Sequence, residues 1–191
     1  MMADDSSQSR VTSWDVSVED LPMRVLTYAG ENQLLLLPDK TINGVEIYRD
    51  DAAGLVKTLQ HHGVEIDFAS AREDRRYLSE YGASDVVAVI ALATASNLTS
   101  DLIKAIALTA WYRARSALGV DVPEEVVDSA NVTVKIAEIV KNDRETVIRG
   151  LEITGPAANI EAGIRNAIAA GGLNQLPSGN TDGSNSEDSP E

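Results

Sequence analysis

SDVVAVIALATASNLTSDLIKAIALTAWYRARSAL, residues 84–118, is the stretch whose reading decides the fold. It divides at Asn97. In the second half, Thr99 or Ser100 is an N-cap, Asp101 complements the positive helix end, and Gly119 follows the last helical position. Leu102, Ile103, Ile106 and Ala110 make one face, and Ala107, Leu108, Trp111 and Tyr112 carry the apolar surface much further round. A helix this apolar is buried on most sides. Two readings compete over Val86–Ala95. Val86, Val87, Val89 and Ile90 suit a buried strand, while the alanines and the Ser84-Asp85 start suit a helix. Period alone does not separate them in so short a run. Its length of about ten residues favours the helix, which would make residues 84–118 an apolar helical hairpin.

Upstream, Arg24–Tyr28 and Gln33–Leu37 read as strands of a hairpin, stopped by Pro38-Asp39. Asn43-Gly44 is a tight turn before a strand at Val45–Tyr48. Asp50 or Asp51 caps a helix with Leu55, Val56 and Leu59 on one stripe and Gly63 at its C-terminal cap. Val64, Ile66 and Phe68 alternate with Glu65 and Asp67 as a half-buried strand. Residues 45–48, 51–62 and 64–68 thus have the length of a strand–helix–strand crossover. Ser70, with Glu73 at the capping-box position, starts a helix to about Tyr81, with Tyr77, Leu78 and Tyr81 inward.

Downstream, residues 120–130 read as a linker. Val132, Val134 and Ile136 start a strand that returns over Thr146–Ile153 through a turn at Asn142-Asp143. Gly155-Pro156 opens a last helix with Ile160, Ile164 and Ile168 toward the sheet. The expected architecture is a single α+β domain over residues 21–173, antiparallel strands packed on helices, with the 84–118 hairpin as its central layer. Residues 1–20 and 174–191 are polar and have little to bury, which predicts disorder at both ends.

The 191 residues carry a formal charge of −14, four negative charges net in each polar end and about −6 between them. That balance disfavours nucleic acid and anionic membrane surfaces as partners. There is no cysteine, which excludes thiol catalysis, disulfides and thiolate metal sites. The acidic start has no basic-then-apolar signal segment, which predicts a cytoplasmic protein. Val86–Ser100 is only fifteen uncharged residues. A span needs about 20 apolar ones, and Asp101 and Lys104 interrupt any longer window, so no stable membrane span is expected.

No phosphate-binding loop, HExxH, GxSxG or EF-hand pattern is present. No catalytic, cofactor-binding or metal-ligating residue is assigned. His61 and His62 are neighbours about 100° apart on a helix end. That spacing suits a solvated terminus better than a shared metal. Asp67, Glu73 and Asp74 cluster near a strand end, where acids commonly cap and solvate. With a histidine they would serve a small hydrolase or a small-molecule-binding domain. Arg72, Arg75 and Arg76 read as a salt-bridged face with Glu73 and Asp74, or as an anion patch.

The most informative group lies on the 101–118 helix. Lys104, Leu108, Trp111 and Arg115 follow one line at spacings of four, three and four. With Tyr112 and Arg113 they include the Trp, Tyr and Arg types enriched at binding hot spots. They read either as a contact face for a protein partner or a second copy, or as an aromatic core residue with snorkelling arginines. The function expected is a non-enzymatic interaction or accessory module. A membrane-active effector inserting residues 84–118 is a further alternative.

The run VVAVIALATASNLTSDLIKAIALTAWYRAR, the strands VTVKIAEI and TVIRGLEITGP and the helix ANIEAGIRNAI together resemble the effector-associated constant component modules of bacterial conflict systems. The resemblance covers residues 84–170. It is one of residue types, and the longer 120–131 segment and the missing glycines in the apolar run depart from the family. It implies a non-enzymatic adaptor in a multi-protein bacterial system, with no catalytic residue to carry over.

Overall fold

A computed structural model describes residues 9–27, 33–79, 88–95, 98–119, 121–141 and 146–170. They form one α+β domain. The elements run β1 (Arg10–Ser13), α1 (Met23–Thr27), β2 (Leu34–Leu36), β3 (Lys40–Ile42), β4 (Val45–Arg49), α2 (Ala52–His61), β5 (Ile66–Phe68), β6 (Arg75–Leu78), β7 (Ala88–Thr94), α3 (Ser100–Leu118), α4 (Glu124–Ser129), β8 (Asn131–Lys141), β9 (Thr146–Pro156) and α5 (Ile160–Ala169). A large sheet has the order β1-β9-β8-β7-β2-β5, and a small one the order β3-β4-β6.

The helical hairpin expected over residues 84–118 is instead a strand followed by a helix. Ala88–Thr94 is β7, parallel to β8 and antiparallel to β2. The reason lies on its two faces. Ala88, Ile90 and Leu92 enter the core under the helices, while Ala91 and Ala93 pack with Leu35, Leu37 and Ala137 on the other side. The alanines that favoured a helix are small because Leu21 and Val25 cover that second face. Only Val89 of β7 is exposed, and it is apolar, so the strand lacks the polar alternation that would have announced it. Val86 and Val87 lie outside the described residues.

Two parallel pairs make the large sheet mixed rather than antiparallel. One is β7–β8, joined through α3 and α4, and the other is β2–β5. The expected crossover from 45–48 to 64–68 is corrected as well, because β4 and β5 lie in different sheets. β4 pairs with β6, and β5 with β2.

Three further corrections have local causes. Arg24–Thr27 is helical, with Val25 donating to the Pro22 carbonyl (2.9 Å) and burying its side chain. Tyr28 lies outside the described residues. Ser70 does not cap a helix. Its hydroxyl and amide both meet the Tyr48 hydroxyl, at 2.6 and 3.2 Å, and residues 75–78 extend along β4 as β6. Tyr77 and Leu78 are largely exposed there, against the inward face expected for them. At the N-terminus, Arg10–Ser13 is not disordered but pairs antiparallel with β9. Residues 174–191 lie outside the described residues.

The expected β8–β9 hairpin forms with an unbroken register from Asn131–Pro156 to Lys141–Thr146. Asn43 and Gly44 both have positive φ (51° and 76°) and close the β3–β4 hairpin. That conformation is the one Asn-Gly favours.

Candidate functional site

The candidate site is built on α3. Thr99 caps it, its hydroxyl accepting from the Leu102 amide at 3.3 Å. Leu102, Ile103, Ile106, Ala110 and Ala114 are buried against the sheet and the neighbouring helices. Lys104 is exposed and Leu108, Trp111, Tyr112 and Arg115 are half-buried. The line read from spacing is therefore a surface line.

Each ring on it is tied to a neighbouring element. The Trp111 indole Nε1 donates to Asp128 Oδ1 on α4 at 2.8 Å. The Arg115 guanidinium lies 5.3 Å from the Trp111 ring centre. The Tyr112 hydroxyl meets His62 Nε2 at the end of α2 at 2.7 Å, and the two rings sit 5.1 Å apart at 31°. Trp111 and Tyr112 meet edge to face at 5.2 Å. A continuous row thus crosses α3 from α2 to α4. Beside it, a groove of about 740 Å³ is lined by Lys104, Leu108, Asp101, Thr99 and residues 63–65. His62 belongs to this row although its sequence context reads as a solvated helix end. It sits fifty positions from Tyr112, and no periodicity links residues that far apart.

Arg113 is not on the row. It turns inward, where its Nη1 lies 2.8 Å from Asp51 Oδ1, its Nη2 3.5 Å from Asp39, and its Nε donates to the Val89 carbonyl. It joins α3 to the start of α2 and to the segment between β2 and β3. One helical position separates it from Tyr112, and 100° of rotation turns an exposed position into an interior one.

Asp67, Glu73, Asp74 and the histidines do not converge. Asp67 pairs with Arg24 at 2.7 Å and lies 3.8 Å from Arg75. Glu73 and Asp74 are exposed beyond the C-terminal end of β5, whereas His61 and His62 lie before its N-terminal end. Among the described residues, no three His, Asp or Glu side chains gather as a metal site would require. Arg75 stacks 4.1 Å over Phe68, and Arg76 donates to the backbone carbonyls of Glu73 and Arg75, so among the described residues these two arginines do not form the expected salt-bridged face with Glu73 and Asp74. Among the described residues no helix is long and apolar enough to cross a membrane.

Tyr48 and Glu138 are polar groups in the interior away from this row. Tyr48 is fully buried and bonded to Ser70 and to the Leu36 carbonyl. Burial pushes its phenol up to about 12, so it stays a neutral donor. Glu138 is 3 % exposed, and among the described residues its Oε2 has no hydrogen-bond partner. Arg149 stands 3.7 Å away. Burial raises the carboxyl above its ordinary 4.5, and the arginine only partly offsets this. Below 4.5 the group is neutral in both the folded and the unfolded chain, and as pH rises the folded chain alone resists ionisation. Glu138→Gln keeps a buried polar side chain but removes its charge, so it is expected to stabilise the protein at pH 8. The gain should vanish near pH 4. Thermal unfolding across this range checks it, and a gain independent of pH would contradict it.

No protein-family model matches the chain, and neither a curated protein nor a solved structure matches it.

Proposed function

We propose that this chain is a non-enzymatic protein-interaction module, and that its contact face is the outer side of α3. One observation carries the reading. On a helix whose other side is wholly interior, Leu108, Trp111, Tyr112 and Arg115 stay partly open, beside a groove. Contact hot spots draw on these aromatic and arginine types, and anchored rings lose little freedom on binding. The Trp111–Asp128 and Tyr112–His62 bonds supply that anchoring. The resemblance of residues 84–170 to effector-associated constant component modules supports a place in a multi-protein bacterial system, in the cytoplasm.

The test places a photo-crosslinking residue at Leu108 and, as a control, at the exposed Asn166 on α5. Adducts with protein are expected from Leu108 alone, and equal yields from the two sites would remove the contact role. Trp111→Ala is expected to cost about 1–2 kcal/mol in urea unfolding, less than the 3–5 kcal/mol of a core aromatic truncation. A loss in that upper range would make Trp111 a core residue instead.

A further inference from the structure

The small sheet has an inner and an outer face. Tyr48 marks the inner one, its ring 5.0 Å from Phe68 and 6.4 Å from Tyr77. Successive side chains of a strand alternate between faces. The opposite positions are therefore Lys40 and Ile42 on β3, Val45, Ile47 and Arg49 on β4, and Arg76 and Leu78 on β6. Four are apolar, three are basic and none is acidic, in a chain with 30 acids and 16 bases. Ile42, Val45 and Leu78 are 49, 41 and 44 % exposed. Arg49 shares its charge with Asp51 at 3.7 Å. Among the described residues, Arg76 donates its hydrogen bonds to backbone carbonyls, which do not neutralise its charge.

The complement stands at α4. Asp121, Glu124, Glu125 and Asp128 are exposed with no base among them, and Val126 beside them is 46 % exposed. This acidic and apolar knob adjoins the α3 row through the Trp111–Asp128 bond.

Resting on the reading of α3 as a contact face, we infer that its partner is a second copy of this chain, which presents the outer face of its small sheet to the α3–α4 surface. The apolar residues meet at the centre, and the charge match is made at α4, whose acids face the sheet's bases, while Lys104 and Arg115 of α3 are themselves basic. The two patches differ, so the contact is head-to-tail, and each added copy leaves one patch of each kind open. Two copies of charge −14 repel at a distance. At 0.15 M salt the field is screened beyond about 8 Å, and the local match of charge decides the encounter.

Sedimentation velocity on the whole chain tests this. The native chain is expected to sediment faster as its concentration rises through the micromolar range. A sheet variant, Ile42→Glu with Arg76→Glu, and a knob variant, Asp121→Lys with Glu125→Lys, should each self-associate at least about tenfold more weakly, because like charges then face each other. Mixed in equal amounts, the two variants offer one native contact, intact knob to intact sheet, and one charge-reversed contact, acidic sheet to basic knob, so they should pair where neither associates alone. A chain carrying all four substitutions has both charges reversed and should associate again, which separates a lost contact from a lost fold. A native chain that stays monomeric overturns the inference, as does a sheet variant that associates like the native chain or a mixture that does not pair. Leu108 adducts with a different protein, together with a monomeric native chain, would leave the module reading standing and remove only the second copy. Leu108 adducts with no protein at all would remove both.

Discussion

Arg113→Ala is expected to lower stability by about 3–5 kcal/mol, the cost of stripping one partner from a buried ion pair. The side chain is 4 % exposed and holds Asp51 at 2.8 Å and Asp39 at 3.5 Å. Truncation would leave the half-buried Asp51 with only the more distant Arg49 at 3.7 Å, and the exposed Asp39 without its guanidinium. It would also open a void where α3 meets β7, whose Val89 carbonyl accepts from Arg113 Nε at 3.3 Å. Burial pushes the Asp51 carboxyl up, but the Ser116 hydroxyl and the Arg113 and Arg49 charges outweigh it and hold the group below its ordinary 3.8. A lowered carboxyl contributes stability that is present above its ordinary value and is lost as pH falls through the folded one. The variant should therefore lose most at pH 7, and the gap to the native chain should narrow toward pH 2. Urea unfolding at both pH values checks the size and the sign. Arg113→Lys should recover only part of the loss, because an ammonium cannot bridge two carboxylates and a carbonyl as the guanidinium does. A loss under about 1 kcal/mol, the worth of an exposed pair, would mean that Asp39 and Asp51 are satisfied by water.

Gly150→Ala is expected to release the N-terminal arm. Gly150 sits in β9 under the arm's backbone, and it accepts from the Trp14 amide at 3.1 Å. A methyl group there would overlap the Trp14 carbonyl oxygen and come within 2.9 Å of Val16 Cγ1. Backbone cannot yield as a long side chain can, so the arm must lift. Trp14 and Val16 would then leave the second face of the large sheet, which they help to cover. Overpacking costs about 1–3 kcal/mol and occasionally more, and the upper end is expected here because packing is lost as well. Limited proteolysis should cleave the variant between residues 9 and 20 while the remainder stays resistant. Gly155→Ala makes the same point further along, where a methyl would approach Ser9 Cα at 2.8 Å. Wild-type protease resistance in both variants would show that the arm is not seated by these glycines.

The legible elements were those with their signals written locally. Asp101–Leu118 carries a cap, a periodic apolar face and a terminal glycine, and it is α3. Asn43-Gly44 gives its turn, and the β8–β9 alternation gives its hairpin. The elements that were misread depended on distant partners. Residues 70–78 carry helix-start signals, but Ser70 is engaged by Tyr48 and the open side of β4 takes up β6. Pro123-Glu124-Glu125 begins a helix that reads as linker, because only the burial of Val127 reveals its inward side. The same division runs through the candidate site. The spacing of Lys104, Leu108, Trp111 and Arg115 placed them on one line of a helix. Spacing did not separate Arg113 from them or bring His62 and Asp128 to them, since both depend on which elements surround α3.

What the sequence determined by itself is a mixed α/β domain with an apolar centre, an α3 of known extent, and a chemistry without thiol, recognised phosphate-binding or hydrolytic motifs. Each of these follows from residue type, or from periods of two and 3.6 along the chain. The tertiary structure alone decided that Ala88–Thr94 is a strand. A run that is apolar at every position from Ala88 to Ala93 carries no period to read, and Ala91 and Ala93 fit their face because Leu21 and Val25 approach from a segment more than sixty residues away. It also decided which side of α3 is open. That side is whatever α2, α4, α5 and the sheet leave uncovered, and contacts so distant along the chain leave no mark on the spacing of the helix itself.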